Sequence, residues 1–292
     1  MNRLENNNLI VESSTLGAEL TRIYSKKYGK EILWNGDSKF WGRHSPILFP
    51  IVGRLKDDET IIEDKIYSMN QHGFARDMKF KIIDNDCKSI TYKLVSSDTT
   101  KSLYPYDFEL IVKYTLLDNG IDINWIVNNI DSKDIYFSIG AHPAFNIDLD
   151  KNNNLSNYYL DFKSKDNINK ISLDGPYSNK FINIENLNTI FLYPELFKND
   201  ALIYTNVDCI NLISKKDDYY INIYFENFPL VGIWSPYYKD TNSTAPFICI
   251  EPLYGLADNI NSDKIYKNKK YINKLCPKKS FYASYSINIE KK

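Results

Sequence analysis

Short apolar or alternating runs dominate the chain, and Asn, Asp, Gly and Lys separate them. Residues 121–127 alternate apolar and polar positions in their first half, which is the two-residue period of a half-buried strand. The segment Leu117-Asp118-Asn119-Gly120 joins that run to residues 108–116 and is typical of a β-hairpin turn. Similar runs recur along the chain, so the pattern predicts many short strands.

Helical signals are few. No window of about 12 residues carries an apolar stripe with helical spacing. Residues 189–196 show a helical signal, but the segment is short and contains Pro194. Many short strands with turn signals predict an all-β sandwich or barrel. No linker rich in Gly, Ser or Pro divides the chain, so we expect a single domain over residues 1–292.

The composition is that of an ordinary globular protein, with 43% hydrophobic and 25% charged residues. The net charge of −1 provides no basic field, so neither nucleic acid nor a membrane is expected as a partner. No apolar run reaches the roughly 18 residues that span a bilayer, and the polar N-terminus lacks a signal-peptide pattern. We therefore expect a cytoplasmic protein, either a monomer or a homodimer.

Aromatic residues make up 14% of the chain, which suits strands and also suits clefts where ring faces pack on sugars. Trp234 precedes Ser235-Pro236 near a strand end and could form such a stacking wall or pack in the core. None of the four cysteines forms a C-x-x-C pair, which excludes zinc-ribbon and thioredoxin-type sites. Free, buried thiols in a reducing compartment are expected instead.

Two of the three histidines lie in short motifs that fit a functional site. His72 follows a strand-like run and precedes Gly73, which permits a tight turn. His142 also follows a strand-like run and precedes Pro143, which favours an extended backbone at the histidine. Taken alone, each histidine is more often structural than catalytic, so the motifs matter only in combination.

Glu251 ends the strongly apolar segment 245–250. A carboxylate in such a place is partly desolvated, and we expect its pKa to be raised. A raised pKa suits a general acid or base that works near neutral pH. The alternative is a carboxylate paired with an arginine at a strand end. Two imidazoles and one carboxylate are together the groups that proton shuttling requires.

Three further side chains could hold an oxygen-rich ligand. Arg54 follows an apolar run, and its guanidinium could donate several hydrogen bonds or form a structural ion pair. Arg76 lies four residues after His72 and could face the same cleft or pair with Asp77. Asp200 is the weaker candidate, since Asp commonly starts turns.

Other classes of site are disfavoured. The chain contains no G-x-S-x-G, Walker loop, G-x-G-x-x-G or H-E-x-x-H motif. His72, His142 and Glu251 could form a two-histidine, one-glutamate metal set, but no helical pair holds them together. A metal site is therefore disfavoured.

The chain resembles the aldose 1-epimerase (mutarotase) family in four ordered motifs, which are Gly53-Arg54, His72-Gly73, His142-Pro143-Ala144-Phe145 and Glu251-Pro252. The resemblance runs from about residue 9 to about residue 289, and segments 16–20 and 34–36 are similar to the family's usual opening. It implies one large antiparallel β-supersandwich. It also implies a small sugar as the partner, either a hexose or a hexose 6-phosphate, and no metal or cofactor.

The resemblance also implies roles for individual residues. Glu251 would take the proton from the anomeric hydroxyl, and His142 would protonate the ring oxygen, with the two groups on opposite sides of one carbon–oxygen unit. The ring would open, rotate about C1–C2 and close to the other anomer while the two groups exchange roles. His72 would hydrogen-bond the sugar and assist at the ring oxygen as a third catalytic residue, and Arg54 and Asp200 would hold hydroxyl groups. Arg76 and Trp234 join the predicted sugar-binding residues on their own positions in the sequence.

The chain departs from the family pattern in ways that leave the sugar open. Typical galactose mutarotases carry Asn before the arginine and His-Gly-Gly at the first histidine, whereas this chain has Gly53 and His72-Gly73-Phe74-Ala75-Arg76. The latter form is similar to a branch that contains hexose-6-phosphate epimerases and uncharacterised bacterial members. Asp200-Ala201-Leu202 replaces the expected Asp-His-x-Phe. A carbohydrate-binding or sensing module without the chemistry is the main alternative, and an accessory domain of a polysaccharide lyase or glycosidase is the third.

Overall fold

The computed structural model describes residues 2–149, 155–164, 167–184 and 187–292. The first strands are β1 (Asn2–Glu5), β2 (Leu9–Ser13), β3 (Leu20–Ser25), β4 (Lys30–Glu31), β5 (Ile47–Leu48), β6 (Glu59–Ile62), β7 (Lys65–Ser68), β8 (Lys81–Asn85), β9 (Ser89–Val95), β10 (Phe108–Leu116), β11 (Gly120–Asn129), β12 (Ile135–Phe137), β13 (Ile139–Ala141) and β14 (Ala144–Asn146). The later strands are β15 (Tyr158–Lys163), β16 (Ile168–Asp174), β17 (Tyr177–Ile184), β18 (Thr189–Phe191), β19 (Leu202–Thr205), β20 (Cys209–Ser214), β21 (Tyr219–Tyr224), β22 (Leu230–Trp234), β23 (Tyr237–Tyr238), β24 (Ser243–Thr244), β25 (Phe247–Tyr254), β26 (Asn273–Leu275) and β27 (Ser280–Lys291). The helical elements described are α1 (Asp98–Lys101) and short 3-10 turns at Lys56–Asp58, Ala75–Asp77, Pro194–Phe197 and Tyr266–Asn268.

Two large sheets make up most of the fold. One has nine strands in the order β18-β15-β20-β21-β27-β11-β10-β9-β8. The other has eight strands in the order β17-β16-β19-β22-β25-β13-β5, with β14 also paired to β25. Neighbouring strands are antiparallel in both sheets.

One apolar cluster joins the facing sides of these sheets. Trp125 and Ile287 belong to the nine-stranded sheet, and Ile233, Ile248 and Ile250 belong to the eight-stranded sheet. All five are almost fully buried in the same cluster. The two sheets therefore pack face to face as a sandwich, which confirms the all-β antiparallel fold expected from the sequence.

Side chains alternate along β25, and this alternation positions the functional site. Ile248 and Ile250 point into the core between the sheets. Because successive side chains of a strand point to opposite faces, Cys249, Glu251 and Leu253 point away from that core. The outer face of the eight-stranded sheet thus carries a buried carboxylate among apolar neighbours.

The sequence expectations for local structure have mixed outcomes. The hairpin is confirmed, since Leu116 pairs with Ile121 across the turn between β10 and β11. The helical signal at residues 189–196 is wrong. That segment begins as strand β18, which pairs with β15, and Pro194 starts only a single 3-10 turn. A strand partner thus overrides a weak local preference.

The four cysteines are free, as expected, but only two of them are buried. Cys209 and Cys249 are buried, whereas Cys87 and Cys276 are exposed. Within the described ranges, no helix has the length and apolar character needed to cross a membrane.

Candidate active site

A cavity of about 500 Å³ opens over the outer face of the eight-stranded sheet. Its volume lies within the roughly 300–1,000 Å³ that is usual for small-molecule sites. Six of the seven site residues expected from the sequence line it, namely His72, Arg76, His142, Asp200, Trp234 and Glu251.

His142 reaches the cavity from a break between two short strands. Strands β13 and β14 both pair with β25, one on each side of the His142-Pro143 segment. The interrupted pairing places the imidazole beside the middle of β25, and Nε2 of His142 lies 3.3 Å from Oε1 of Glu251. This separation is longer than that of a charge-assisted hydrogen bond, so the two groups are close neighbours without a tight bond between them.

Burial sets the protonation of this pair. Glu251 and His142 are only 5% and 7% exposed. Burial raises the pKa of Glu251 well above its ordinary value, and the nearby charge of Asp200 adds to the rise. Burial also lowers the pKa of His142 to about 3. Both shifts favour the neutral forms of the two groups, a carboxylic acid and a neutral imidazole.

The backbone at residue 232 makes room for the carboxylate. Gly232 on β22 lies directly across from Glu251 on β25. A Cβ atom at Gly232 would lie 3.3 Å from Oε2 of Glu251, which is closer than such contacts usually are. The glycine therefore lets the carboxylate occupy its place in the sheet face.

His72 is held by an unusual turn after β7. Both His72 (φ 69°) and Gly73 (φ 70°) have left-handed backbone conformations. A Cβ atom at Gly73 would lie 2.4 Å from the carbonyl oxygen of Phe49, so only glycine fits there. The N–H of His72 donates to the carbonyl of Gly53 over 2.9 Å. The ring centroid of His72 lies 5.5 Å from that of His142.

Two tryptophans enclose the imidazole of His142. The ring centroid of Trp41 lies 4.8 Å from His142, and that of Trp234 lies 5.6 Å away. Trp41 was missed by the sequence reasoning. No motif points to it, because its ring packs on His142 and Trp234, which are far away in the sequence. The indole N–H of the nearby Trp34 donates to its carbonyl oxygen over 2.9 Å.

Two arginines line the cavity near the histidines. Arg76 donates to the carbonyl of Gln71 over 2.6 Å, and Nη2 of Arg43 lies 2.9 Å from Oδ1 of Asp77. The pKa of Arg76 is lowered by burial and then by the charge of Arg43. The same two guanidinium groups contribute to the lowered pKa of His142, so this end of the cavity has a positive field.

Arg54 is the one expected site residue that does not line the cavity. Its Nε lies 3.2 Å from Oδ1 of Asp58, and its side chain is 41% exposed. It borders an adjoining outer depression instead, together with Lys198 and Asp200. The local ion pair with Asp58 therefore directs this arginine away from His142 and Glu251.

Asp200 lies in the cavity wall at a left-handed turn (φ 74°). Burial raises its pKa, and a hydrogen bond with Trp234 acts in the opposite direction. Since Asp200 and Glu251 repel each other when charged, the presence of Asp200 favours the protonated form of Glu251.

The donor atoms of one further group lie close together. Among the residues described, His142, Cys249 and Glu251 could hold a metal ion, since their donor atoms lie within 4.8 Å of one another. His72 is not part of this group, so the structure does not form the two-histidine set considered from the sequence.

Comparison with known proteins places the chain in a family. A model of the aldose 1-epimerase family matches residues 1–264. A galactose mutarotase related enzyme from Lactobacillus acidophilus is 35% identical, with a TM-score of 0.93 and coverage of 100% of this chain and 99% of that one. A galactose mutarotase-like protein from Lactobacillus casei ATCC 334 is 30% identical, with a TM-score of 0.93 and coverage of 99% and 100%. The chromosomal protein LacX of Lactococcus lactis subsp. lactis is 31% identical over 98% of both chains. The chain therefore belongs to the aldose 1-epimerase family.

Proposed function

We propose that the protein is an aldose 1-epimerase that interconverts the α and β anomers of a hexose or a hexose 6-phosphate. The observation that carries the proposal is the 3.3 Å contact between His142 and Glu251 at the wall of a cavity of small-molecule size. Family membership supplies the class of reaction, and the pair supplies the groups that the reaction needs.

The placement of the pair matches the chemistry of a cyclic sugar. Glu251 takes the proton of the anomeric hydroxyl, and His142 donates a proton to the ring oxygen as the bond from that oxygen to C1 breaks. Both oxygens are bonded to the same carbon, so a base and an acid that serve them must be neighbours. From the sequence we expected these groups on opposite sides of the carbon–oxygen unit. In the empty site the two groups lie 3.3 Å apart, and how they flank a bound sugar stays a prediction.

The number of protons on Glu251 and His142 also agrees with the proposed reaction. Ring opening begins with a carboxylate and an imidazolium and ends with a carboxylic acid and a neutral imidazole. Burial favours the second state in the empty site, so the empty protein is poised for ring closure. Before a ring opens, one proton must move from Glu251 to His142. This shift leaves the net charge of the pair unchanged, and thus no net charge is buried.

The other cavity residues position the sugar. His72 donates a hydrogen bond near the ring oxygen, and Asp200 accepts from a hydroxyl group. Trp234 and Trp41 supply apolar walls for the C–H face of the ring. Two groups that each transfer a proton contribute roughly 10²–10⁴-fold apiece to the rate, and the reaction needs no redox or group-transfer partner.

The positive end of the cavity bears on which sugar is used. Arg43 and Arg76 line the cavity, whereas Asp77, which pairs with both, and Glu19, whose charge acts on Arg76, are not among its lining residues. The two guanidinium groups favour a phosphorylated hexose, whose phosphate accepts hydrogen bonds from them. Arg54 and Lys56 are not among the residues that line this cavity.

Polarimetry tests the proposal directly. Freshly dissolved α-D-glucose, α-D-galactose and the 6-phosphates of both sugars should mutarotate faster with the protein than in buffer. Glu251→Gln should lower the rate by roughly 10²–10⁴-fold, and Arg76→Gln should raise KM more for the phosphorylated sugar than for the free one. If no sugar reacts faster than in buffer, the enzymatic proposal fails, and sugar binding without turnover would favour the binding module. A rate that survives Glu251→Gln would show that the base is wrongly assigned.

A further inference from the structure

Cys249 is a buried thiol that the proposed mechanism does not use. It is 0% exposed and lies on β25, two residues before Glu251 and on the same face of the strand. Its Sγ, one ring nitrogen of His142 and a carboxylate oxygen of Glu251 lie within 4.8 Å of one another. Sulfur, imidazole nitrogen and carboxylate oxygen are the three donor types that proteins use for zinc.

The distances fit a tetrahedral metal. Zinc bonds nitrogen and oxygen at about 2.0–2.1 Å, so two such ligands on a tetrahedron lie about 3.3–3.4 Å apart. Nε2 of His142 and Oε1 of Glu251 are already 3.3 Å apart. A sulfur bonded at about 2.3 Å would lie about 3.6 Å from each of them. The thiol therefore needs to move by about 1 Å, which a change of side-chain torsion can provide.

The surroundings of these three donor atoms indicate that a metal ion would bind there reversibly. His142 and Glu251 line the cavity, which leaves the fourth position of a tetrahedral ion open to water. Within the part of the chain that the structure describes, the buried Nδ1 of His142 has no hydrogen-bond partner outside its own residue. Histidines that hold a resident zinc nearly always donate that second N–H to a partner, and its loss weakens metal binding by 10–100-fold. The donor set is present here, but the supporting bond is not.

We propose that His142, Cys249 and Glu251 form a binding site for a thiophilic divalent cation such as Zn²⁺, and that an ion bound there blocks proton transfer at the pair. Binding breaks the S–H bond of Cys249 and the O–H bond of Glu251, the two protons pass to the buffer, and the sulfur and oxygen each give an electron pair to the metal. The blocking half rests on the proposed function, since the ion occupies the atoms that exchange protons with the sugar. The binding half stands without it.

Cobalt tests the binding half by a readout that does not depend on activity. Thiolate ligation of Co²⁺ gives a charge-transfer absorption band in the near ultraviolet. We expect the band to saturate at one equivalent of Co²⁺ and to disappear when Zn²⁺ is added. The wild-type reference and every variant carry Cys87→Ser and Cys276→Ser, so that the two exposed thiols do not contribute.

Cys249→Ala should remove the band and weaken Zn²⁺ binding by at least about 10-fold, the lower bound for loss of even a supporting contact. Cys209→Ala is the matched control, since Cys209 is the other buried free cysteine. A band that persists without Cys249, or that vanishes without Cys209, overturns the site. If circular dichroism shows that Cys249→Ala does not fold, His142→Asn takes its place. This variant keeps the thiol and must weaken Co²⁺ binding by at least about 10-fold.

Mutarotation tests the blocking half. Zn²⁺ should inhibit the protein over the concentrations at which it displaces Co²⁺, EDTA should restore the rate, and Cys249→Ala should need at least about 10-fold more Zn²⁺ for the same fractional inhibition of its own rate. A cobalt band without inhibition overturns the blocking half and leaves the site. Absence of any mutarotation counts against the proposed function, and the cobalt titration then decides on the site alone.

Discussion

The backbone N–H of Gly53 donates a hydrogen bond of 3.2 Å to Nδ1 of His72. The bond requires an unprotonated Nδ1, so the proton of the neutral ring lies on Nε2. The side-chain nitrogen of Gln71, 3.2 Å from Nε2, is also a donor, so Nε2–H can bond to this side chain only if the amide presents its oxygen. Burial, followed by the charge of His142, lowers the pKa of His72 well below its usual range. His72 is therefore expected to serve as a fixed hydrogen-bond donor and not as a proton source.

Two substitutions distinguish the hydrogen bond that positions the His72 ring from the contribution of that ring to activity. In His72→Asn, the side-chain oxygen can still accept from Gly53, and Asn tolerates the left-handed backbone, so activity should fall while stability stays near wild type. In His72→Ala, the N–H of Gly53 loses its partner, which should also lower the free energy of unfolding by about 1–3 kcal/mol. Urea unfolding and polarimetry measure the two effects. Equal stability of the two variants would contradict the role of the Gly53 bond.

Glu251→Gln should stabilise the protein in a pH-dependent way. The folded-state pKa of Glu251 is raised, whereas the unfolded chain has the model value of 4.5. The folded state thus keeps a proton that the unfolded state loses as pH rises above 4.5. The contribution of this group to the free energy of unfolding is therefore fully present below pH 4.5 and is lost as pH rises toward the folded-state pKa. Glutamine removes that dependence. In urea unfolding, the free energy of unfolding of the variant should rise relative to that of wild type between pH 4 and pH 8.

A matched control for that experiment is Glu63→Gln. The side chain of Glu63 is 54% exposed and pairs with Lys133 at the surface. Its substitution should change stability little at either pH, as is usual for exposed pairs. A difference between wild type and Glu251→Gln that does not vary with pH would contradict the raised pKa.

Gly232→Ala tests the placement of the carboxylate. The added Cβ would lie 3.3 Å from Oε2 of Glu251, so the carboxylate must shift by a few tenths of an ångström. A misplacement of about 1 Å can cost about 10²-fold in rate, so we expect kcat to fall by roughly 10-fold with a smaller change in KM. Gly42→Ala is the control, since its nearest neighbour would lie at 3.7 Å. Full kcat in Gly232→Ala would show that the position of the carboxylate is not critical.

The pair formed by Lys269 and Asp258 should be essential for stability. Their side chains are 3% and 2% exposed, and Nζ of Lys269 is bonded to Oδ1 of Asp258. Asp258 also accepts from the N–H of Lys56 over 2.8 Å and donates to the carbonyl of Arg54 over 2.9 Å, which fixes the segment after Gly53. Lys269→Met leaves a buried carboxylate unpaired and should cost about 3–5 kcal/mol.

A second variant identifies the cause of that loss. Lys269→Met with Asp258→Asn removes the unpaired charge, and the amide keeps an oxygen for the N–H of Lys56, so part of the stability should return. Urea unfolding of both variants provides the comparison. If the single variant loses less than about 1 kcal/mol, or the double variant loses as much as the single one, the unpaired charge is not the cause.

The sequence predicted those elements whose structure depends on interactions between residues that are near one another in the chain. The alternation in residues 121–127 and the turn at Asn119-Gly120 specified the β10–β11 hairpin, because period and turn chemistry act over a few residues. Residues 189–196 were misjudged, since only pairing with β15 makes their first part a strand.

In the site, too, the motifs predicted some features, and others depend on contacts between distant parts of the chain. The motifs around His72, His142 and Glu251 were visible in the chain, and all three side chains line one cavity. The contact between His142 and Glu251 was not visible, since it depends on two strands that pair with β25 on either side of the histidine. Trp41 and the outward turn of Arg54 likewise follow from partners that no motif records.

The position of β27 has a consequence for how the chain is made. This strand lies in the interior of the nine-stranded sheet, between β21 and β11, although it is the last strand described along the chain. During synthesis, β11 and β21 must wait for residues 280–291 before the sheet can close, and their open edges can meanwhile pair with other chains. Nascent or truncated chains that lack this strand are therefore the forms most exposed to aggregation, and the yield of native protein depends on how quickly residues 280–291 insert once they have been made.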